Sequence, residues 1–412
     1  MRTKLLTGLA TVALMAGAGQ ALAKDIKVGH MADYTGATSS VGKPYGQGVA
    51  DALAHINKTG GVNGKKIDVE TVDYSYEIPR AIAQYKKWLG DQVVAIQGWG
   101  TGDTEALVSF VGKDQIPYFS ASYSGHLTDP TGKGTHGSKP APYNFFYGPS
   151  YTDGCRALVQ WAAEDAKKKG TKEPKFVHMG DNHPYPNAPK EACAAYAKEL
   201  GFTVIDPIQY SMKPGDFKAQ CLSLKESGAS YAYLANTSGS TISLLKSCET
   251  VGVATQFLGN VWAMDEAAIK ATGDAANGMI FVVGAADWKS TAAGMATLRE
   301  ISKVSDPTGA EYRPLHYIRG VCSAYFMRDA MVIADKTSDG VTGPQIKKAM
   351  EALKDHVPSG LEGVCMPSTW TGEDHRGTTK VFMYQANAKG TEQSIAKIGE
   401  VEVPRKADWL GW

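Results

Sequence analysis

The residues best suited to chemistry crowd one stretch of the chain, residues 93–124, VVAIQGWGTGDTEALVSFVGKDQIPYFSASYS. Thr101, Ser122 and Ser124 bring hydroxyl groups there, with Trp99 and Tyr123 between them. Neutral O–H and N–H donors of this kind hold an anion without demanding a fixed countercharge. The stretch reads as a strand at 93–97, a turn broken by Gly98, Gly100 and Gly102, a helix at 103–112 and a strand at 116–121. In a parallel α/β sheet, ligands sit beyond the carboxyl ends of the strands, where helix N-termini offer free N–H groups. The alternative is that these are ordinary turn residues.

Other chemistry finds little support. The nine histidines are scattered, without H-E-x-x-H or a two-histidine metal spacing, and no metal or cofactor is expected. No G-x-S-x-G elbow occurs, and GWGTG at 98–102 lacks both the P-loop lysine and the full G-x-G-x-x-G. Asp374-His375-Arg376 resembles an acid–base pair, but neighbours on an extended segment point to opposite faces, which favours a capped turn. A secreted hydrolase is the alternative from another class, distinguished by turnover of its ligand.

The elements that must position the site follow from patterning. Residues 1–23 carry a basic start (Arg2, Lys4), an apolar core and Ala21-Leu22-Ala23, as a secretory signal peptide does. Its removal takes the formal charge from +1 to −1, through loss of Arg2 and Lys4. Near-neutrality argues against nucleic acid or an anionic membrane surface as partner. Six cysteines (Cys155, Cys193, Cys221, Cys248, Cys322, Cys365) in an exported chain favour disulfides, and no C-x-x-C suggests a metal. The pairing stays open; linking sequence neighbours gives Cys155–Cys193, Cys221–Cys248 and Cys322–Cys365.

Strands at 26–30 and 67–72 alternate with helices at 45–57 and 81–89, continuing into the opening stretch. A second alternation begins at Tyr151, with helices at 158–169, 190–200 and 242–251 and strands at 175–179, 231–234 and 256–259. A long helix follows at 319–334, then extended pieces from Thr369 onward. This calls for an α/β protein with two parallel-sheet lobes.

YGQGVADALAHINKTGGVNGKKIDVETVDY resembles the first helix and second strand of type I periplasmic solute-binding proteins, the receptors of branched-chain-amino-acid-type ABC importers. GDFKAQCLSLKESGASYAYL with TQFLGN resembles that family's second lobe, and GEDHRGTTKVFMYQ its closing segment. The resemblance implies two Rossmann-like lobes joined by three crossings near Tyr147, Val283 and Cys365, closing on a ligand between them. It divides the chain into 24–147 with 284–365, and 148–283 with 366–412. It further implies a monomeric periplasmic receptor that delivers one small molecule to an ABC permease in the inner membrane.

By the same resemblance, Thr101, Ser122 and Ser124 match the positions that bind the ligand carboxylate, and Tyr185 an aromatic that covers it. Asn236 opens a second-lobe loop expected to reach the ligand. Amino-acid-binding members place a Glu after the strand that here reads TQFLGNVWAMDE, where this chain has Val261 and Trp262. Without it an ammonium has no anchor, and burying one unpaired is costly. Tyr34, Trp99, Tyr123 and Trp262 are candidates to line the cleft, which suits an aromatic or other small carboxylate. Asp103 or Asp265 supplying the missing charge would restore an amino acid or another amine, and a ring of aromatics would hold a cation. Packing between the lobes accounts equally for Trp99 and Trp262.

Overall fold

Short apolar runs bounded by glycine and polar turns become parallel strands, each leading into a helix. The computed structural model describes residues 24–412, so the signal sequence expected at 1–23 lies outside the described residues. The first lobe runs β1 (Ile26–Ala32), α1 (Ser39–Lys58), β2 (Ile67–Asp73), α2 (Ile78–Gly90), β3 (Ala95–Gln97), α3 (Thr101–Asp114), β4 (Tyr118–Ser120) and β5 (Asn144–Phe146). Its five strands are all parallel, in the order β2-β1-β3-β4-β5.

The chain then crosses into α4 (Tyr151–Lys168), β6 (Lys175–Gly180), α5 (Pro184–Asn187), α6 (Lys190–Glu199) and β7 (Thr203–Gln209). It continues through α7 (Lys218–Ser227), β8 (Tyr231–Leu234), α8 (Ser238–Thr250), β9 (Gln256–Gly259), α9 (Glu266–Thr272) and β10 (Ile280–Val283). It returns as α10 (Met295–Ser302), α11 (Leu315–Ala334) and α12 (Gly343–Met350), and ends in β11 (Thr369–Thr371), β12 (Asp374–Gly377), β13 (Lys380–Asn387) and β14 (Ser394–Glu402). The second sheet has the order β14-β13-β10-β9-β8-β6-β7, with β13 and β14 antiparallel at one edge. Its inner strands YAYL and IFVV are buried throughout, as strands covered by helices on both faces must be, whereas edge strand β14 is largely exposed.

Six helices begin earlier than their apolar period predicts: α1 at Ser39, α2 at Ile78, α3 at Thr101, α4 at Tyr151, α8 at Ser238 and α11 at Leu315. The first turns of α3, α4, α8 and α11 are largely buried, mostly small, hydroxyl or aromatic residues, and show no one-sided stripe. In α1 the helix runs through Gly42, where a Cβ would overlap the Asp33 carbonyl oxygen.

One phenol ties the three crossings. Tyr147 O–H donates to the Gly284 carbonyl and accepts from the Met366 N–H at 2.8 Å. Ala285 and Cys365 form a β-bridge beside it. Disulfides join Cys155–Cys193, Cys221–Cys248 and Cys322–Cys365, the pairing of sequence neighbours. The β11–β12 hairpin packs against the first sheet: His375 N–H donates to the Thr128 carbonyl at 2.9 Å, and its Nδ1 lies 2.9 Å from the Asn144 carbonyl.

Helices α1 and α11 cross at a distance only glycine permits. A Cβ on Gly48 would overlap the Tyr317 carbonyl oxygen, and one on Gly320 the Tyr45 carbonyl oxygen. Gly48→Ala should therefore cost about 1–3 kcal/mol by forcing the pair apart. Urea denaturation checks this; an unchanged midpoint would show that the crossing has slack.

Candidate functional site

Between the lobes lies a small, narrow cavity. Thr38, Tyr76, Trp99, Gly100, Thr101 and Ala121 line it from the first lobe, and Tyr151, Tyr185, Thr237 and Trp262 from the second. Thr38, Trp99, Gly100, Thr101, Ala121, Tyr185, Thr237 and Trp262 follow the carboxyl ends of β1, β3, β4, β6, β8 and β9, where an open parallel sheet presents its loops.

Three helices open beside the cavity: Thr38 is the N-cap of α1, Gly100 of α3 and Thr237 of α8. None of the three caps its helix with a side chain. Thr237 Oγ1 is buried without a partner. The helix dipoles make such a place favourable for negative charge, although the Ser238 and Gly239 N–H groups of α8 already meet the Trp262 carbonyl and Ser40 Oγ.

The aromatic walls are held by their polar atoms. Trp99 Nε1 donates to Thr38 Oγ1 at 2.9 Å, and that hydroxyl donates to Asp33 at 2.6 Å. Trp262 Nε1 donates to the Tyr151 oxygen at 3.0 Å. Tyr185 O–H donates to Asn260 Oδ1 at 2.9 Å, which also accepts the Trp262 N–H. Trp99 and Trp262 meet edge to face across the cleft, ring centres 5.1 Å apart. At the rim Ser40 Oγ accepts the Gly239 N–H at 3.2 Å, a first-lobe side chain on the first turn of a second-lobe helix.

Of the residues singled out in the sequence, Trp99, Thr101, Tyr185 and Trp262 line the cavity. Ser122 lies one layer behind, its hydroxyl donating to Thr101 Oγ1 at 2.8 Å, and Tyr123 stacks on Trp262 with centres 5.5 Å apart. Ser124 is outside, its hydroxyl given to Glu105 at 2.8 Å. Tyr34 is half-buried, with its N–H on Asp73. The Asn236 amide braces the Asp181 N–H and the Tyr210 and Ser211 carbonyls. Asp265 caps α9 through the Ala268 N–H and stands 3.5 Å from His316 Nε2.

Sequence reasoning missed Thr38, Tyr76, Ala121 and Tyr151 as wall residues. Tyr76 follows Ser75 in a turn where both have left-handed backbones, φ 60° and 55°. Bulky residues rarely adopt that conformation, and nothing in the local pattern announces it. Tyr151 sits at the first position of α4, where only the capping Ser150 marks the helix start.

No carboxylate lines the cavity, although acids stand nearby. Asp103 accepts from Tyr74 O–H at 2.8 Å and Tyr118 O–H at 3.3 Å; burial pushes its pKa up to about 7 against the pull of those donors. Burial likewise raises Asp265 to about 6. Among the described residues no cluster of three or more His, Cys, Asp or Glu is placed to hold a metal, and no helix is long and apolar enough to cross a membrane.

A family model described as periplasmic binding protein matches residues 25–391. The chain is 25% identical to a Leu/Ile/Val-binding protein homolog 4 of Brucella abortus over 312 residues, 70% of this chain and 72% of the relative. A substrate-binding protein of an ABC transporter from Aeropyrum pernix superposes with TM-score 0.80 at 24% identity, covering 94% of this chain and 98% of that one. A branched-chain amino acid ABC transporter structure from Thermus thermophilus with bound valine gives 0.81 at 20%, covering 92% and 96%. A solute-binding protein from R. palustris in complex with benzoate gives 0.73 at 15%, covering 92% and 96%. Two parallel-sheet lobes around a lined cleft define a solute receptor of type I architecture. The chain belongs to the periplasmic binding protein family.

Asp103 is protonated more readily in the folded chain than at its ordinary value of 3.8. Its burial thus favours the fold below about pH 4, and that contribution is lost as the pH rises through about 7. Asp103→Asn should flatten the stability–pH curve between these limits, while leaving acid-side stability close to that of the unaltered protein. Denaturation midpoints across the range test this, and an unchanged slope would contradict it.

Proposed function

We propose that this receptor closes on a small carboxylate, aromatic or compactly aliphatic, and hands it to an ABC permease. The observation that carries the reading is the wall chemistry: three helix N-termini and a ring of aromatics, with no acid among the lining residues. Helix N-termini and the free Thr237 hydroxyl suit a carboxylate, and the rings suit a flat or branched apolar body. An ammonium has no carboxylate to meet there. The space between the walls is narrow, which limits the ligand to a compact molecule. Structures of the same fold hold valine and benzoate, and the absence of a lining acid favours the benzoate type.

The ligand stabilises closure by touching both lobes, Thr101 and Trp99 from one and Thr237, Tyr185 and Trp262 from the other; a ligand gripped by one lobe alone would shift no equilibrium. The moving bodies in this reading are 24–147 with 284–365, and 148–283 with 366–412 apart from the β11–β12 hairpin that rests on the first sheet, turning about the Tyr147 crossings. Export through residues 1–23, a monomeric state and release of the ligand unchanged complete it. A second reading, an amine or amino acid held over the rings, draws on the number of aromatic walls.

Thermal melting of refolded, ligand-stripped protein against benzoate, isobutyrate, valine, acetamide and choline separates the readings. A bound ligand at about 100 times its dissociation constant adds roughly 2.7 kcal/mol. Stabilisation by the simple acids is expected; stabilisation by valine or choline alone would sink the carboxylate assignment. Thr237→Val should weaken the acid about ten- to a hundredfold by calorimetry, the worth of one hydrogen bond to a charged group.

A further inference from the structure

Four arginines are buried: Arg156, Arg313, Arg319 and Arg376. Three have carboxylate partners, Arg156 on Asp153 at 3.0 Å, Arg313 on Glu311 at 2.8 Å and Arg376 on Asp374 at 2.7 Å. Arg319, in the second turn of α11, forms no ion pair among the described residues. Its Nη1 donates to the Val261 carbonyl at 2.8 Å and lies 3.2 Å from His316 Nδ1, while Nη2 is buried without an acceptor. Burial and this cation together hold the His316 pKa well below 6.5, so the imidazole is neutral; with Nδ1 accepting from Arg319, its Nε2 carries the proton toward Asp265.

A guanidinium stays charged in any protein environment, and burying one without a counter-charge is expensive. Its neighbours do not settle the charge. The nearest acid, Asp265, stands beyond His316 and is engaged with the α9 N-terminus. The hydroxyls of Tyr45 and Tyr123, both packed on Trp262, are likewise buried without partners. The charge is placed to be felt in the cleft, because the guanidinium carbon lies 3.7 Å from the centre of the Trp262 ring, a wall of the cavity.

We propose that Arg319 is the residue that selects the ligand's charge: acting through Trp262, it makes the closed cavity prefer an acid over the neutral amide of the same shape. This rests on the reading of the cavity as a carboxylate site. Arg319 is a positioning residue, since it does not itself line the cavity. At an effective dielectric constant of about 20 and a separation of about 7 Å, one such charge changes affinity roughly ten- to fiftyfold.

Calorimetry with benzoate against benzamide, and isobutyrate against isobutyramide, tests it on the full mature chain and on Arg319→Gln and Arg319→Lys. Glutamine can still donate to the Val261 carbonyl, and circular dichroism checks the fold of each variant. The unaltered protein should favour each acid by about tenfold or more, R319Q should bring the ratio within about threefold, and R319K should keep most of it. A merely structural role would weaken acid and amide alike and leave the ratio unmoved in R319Q, which would overturn the proposal. Equal binding of acid and amide by the unaltered protein would overturn it without any variant. Failure to bind either acid would remove the carboxylate reading as well, an outcome distinct from binding acids with an unmoved ratio.

Discussion

A parallel strand can be followed by another in the same sheet only through a right-handed crossover, so the helix after each strand starts at that strand's carboxyl end. Everything at the centre of this molecule depends on that constraint. It brings the first turns of α1 and α3 together in one lobe and sets the first turn of α8 against them from the other. Three positive helix ends then share one small space, closed by Trp99 from the loop into α3 and Trp262 from the loop after β9. The site is a consequence of how the chain winds, and the side chains only tune it.

The winding was largely legible in the sequence. Apolar runs such as YAYL and IFVV, stopped by glycine and polar turns, mark the buried strands, and helices between them force a parallel sheet. Thr101 and Tyr185 could be placed because the family resemblance marks them, and Trp99 and Trp262 because they stand just after recognisable strands. The first turns of the helices could not, since residues facing the other lobe have no solvent side and therefore no period. Tyr76 depends on a left-handed backbone that no residue type there demands. Arg319 was hidden for a different reason: on a helix an arginine usually marks the wet face, and only the packing of α1 against α11 shows this one to be enclosed.

Burial also sorts the acids by role. Asp103 and Asp265 stand close to the cavity, yet each is bound by donors of its own lobe, and burial raises the pKa of both. They organise the loops that carry the walls. Glu105, tied to Ser124 and 3.4 Å from His126, lies toward the mouth of the cleft with second-lobe residues Lys190 and Glu191 across the same opening. The interior of the cleft is thus aromatic and free of lining carboxylates, while its entrance is polar and of mixed sign.

The disulfides divide the molecule's freedom unevenly. Cys155–Cys193 fastens α4 to α6 and Cys221–Cys248 fastens α7 to α8, all within the second lobe, while Cys322–Cys365 anchors the third crossing to α11. None spans the cavity. The disulfides therefore stiffen each lobe as a shell and leave the gap between the shells uncrosslinked. They set how long each shell resists unfolding, whereas under the proposed function the angle between the shells answers to what lies in the gap. Durability and responsiveness, which compete in most small proteins, are here assigned to separate coordinates of the same chain.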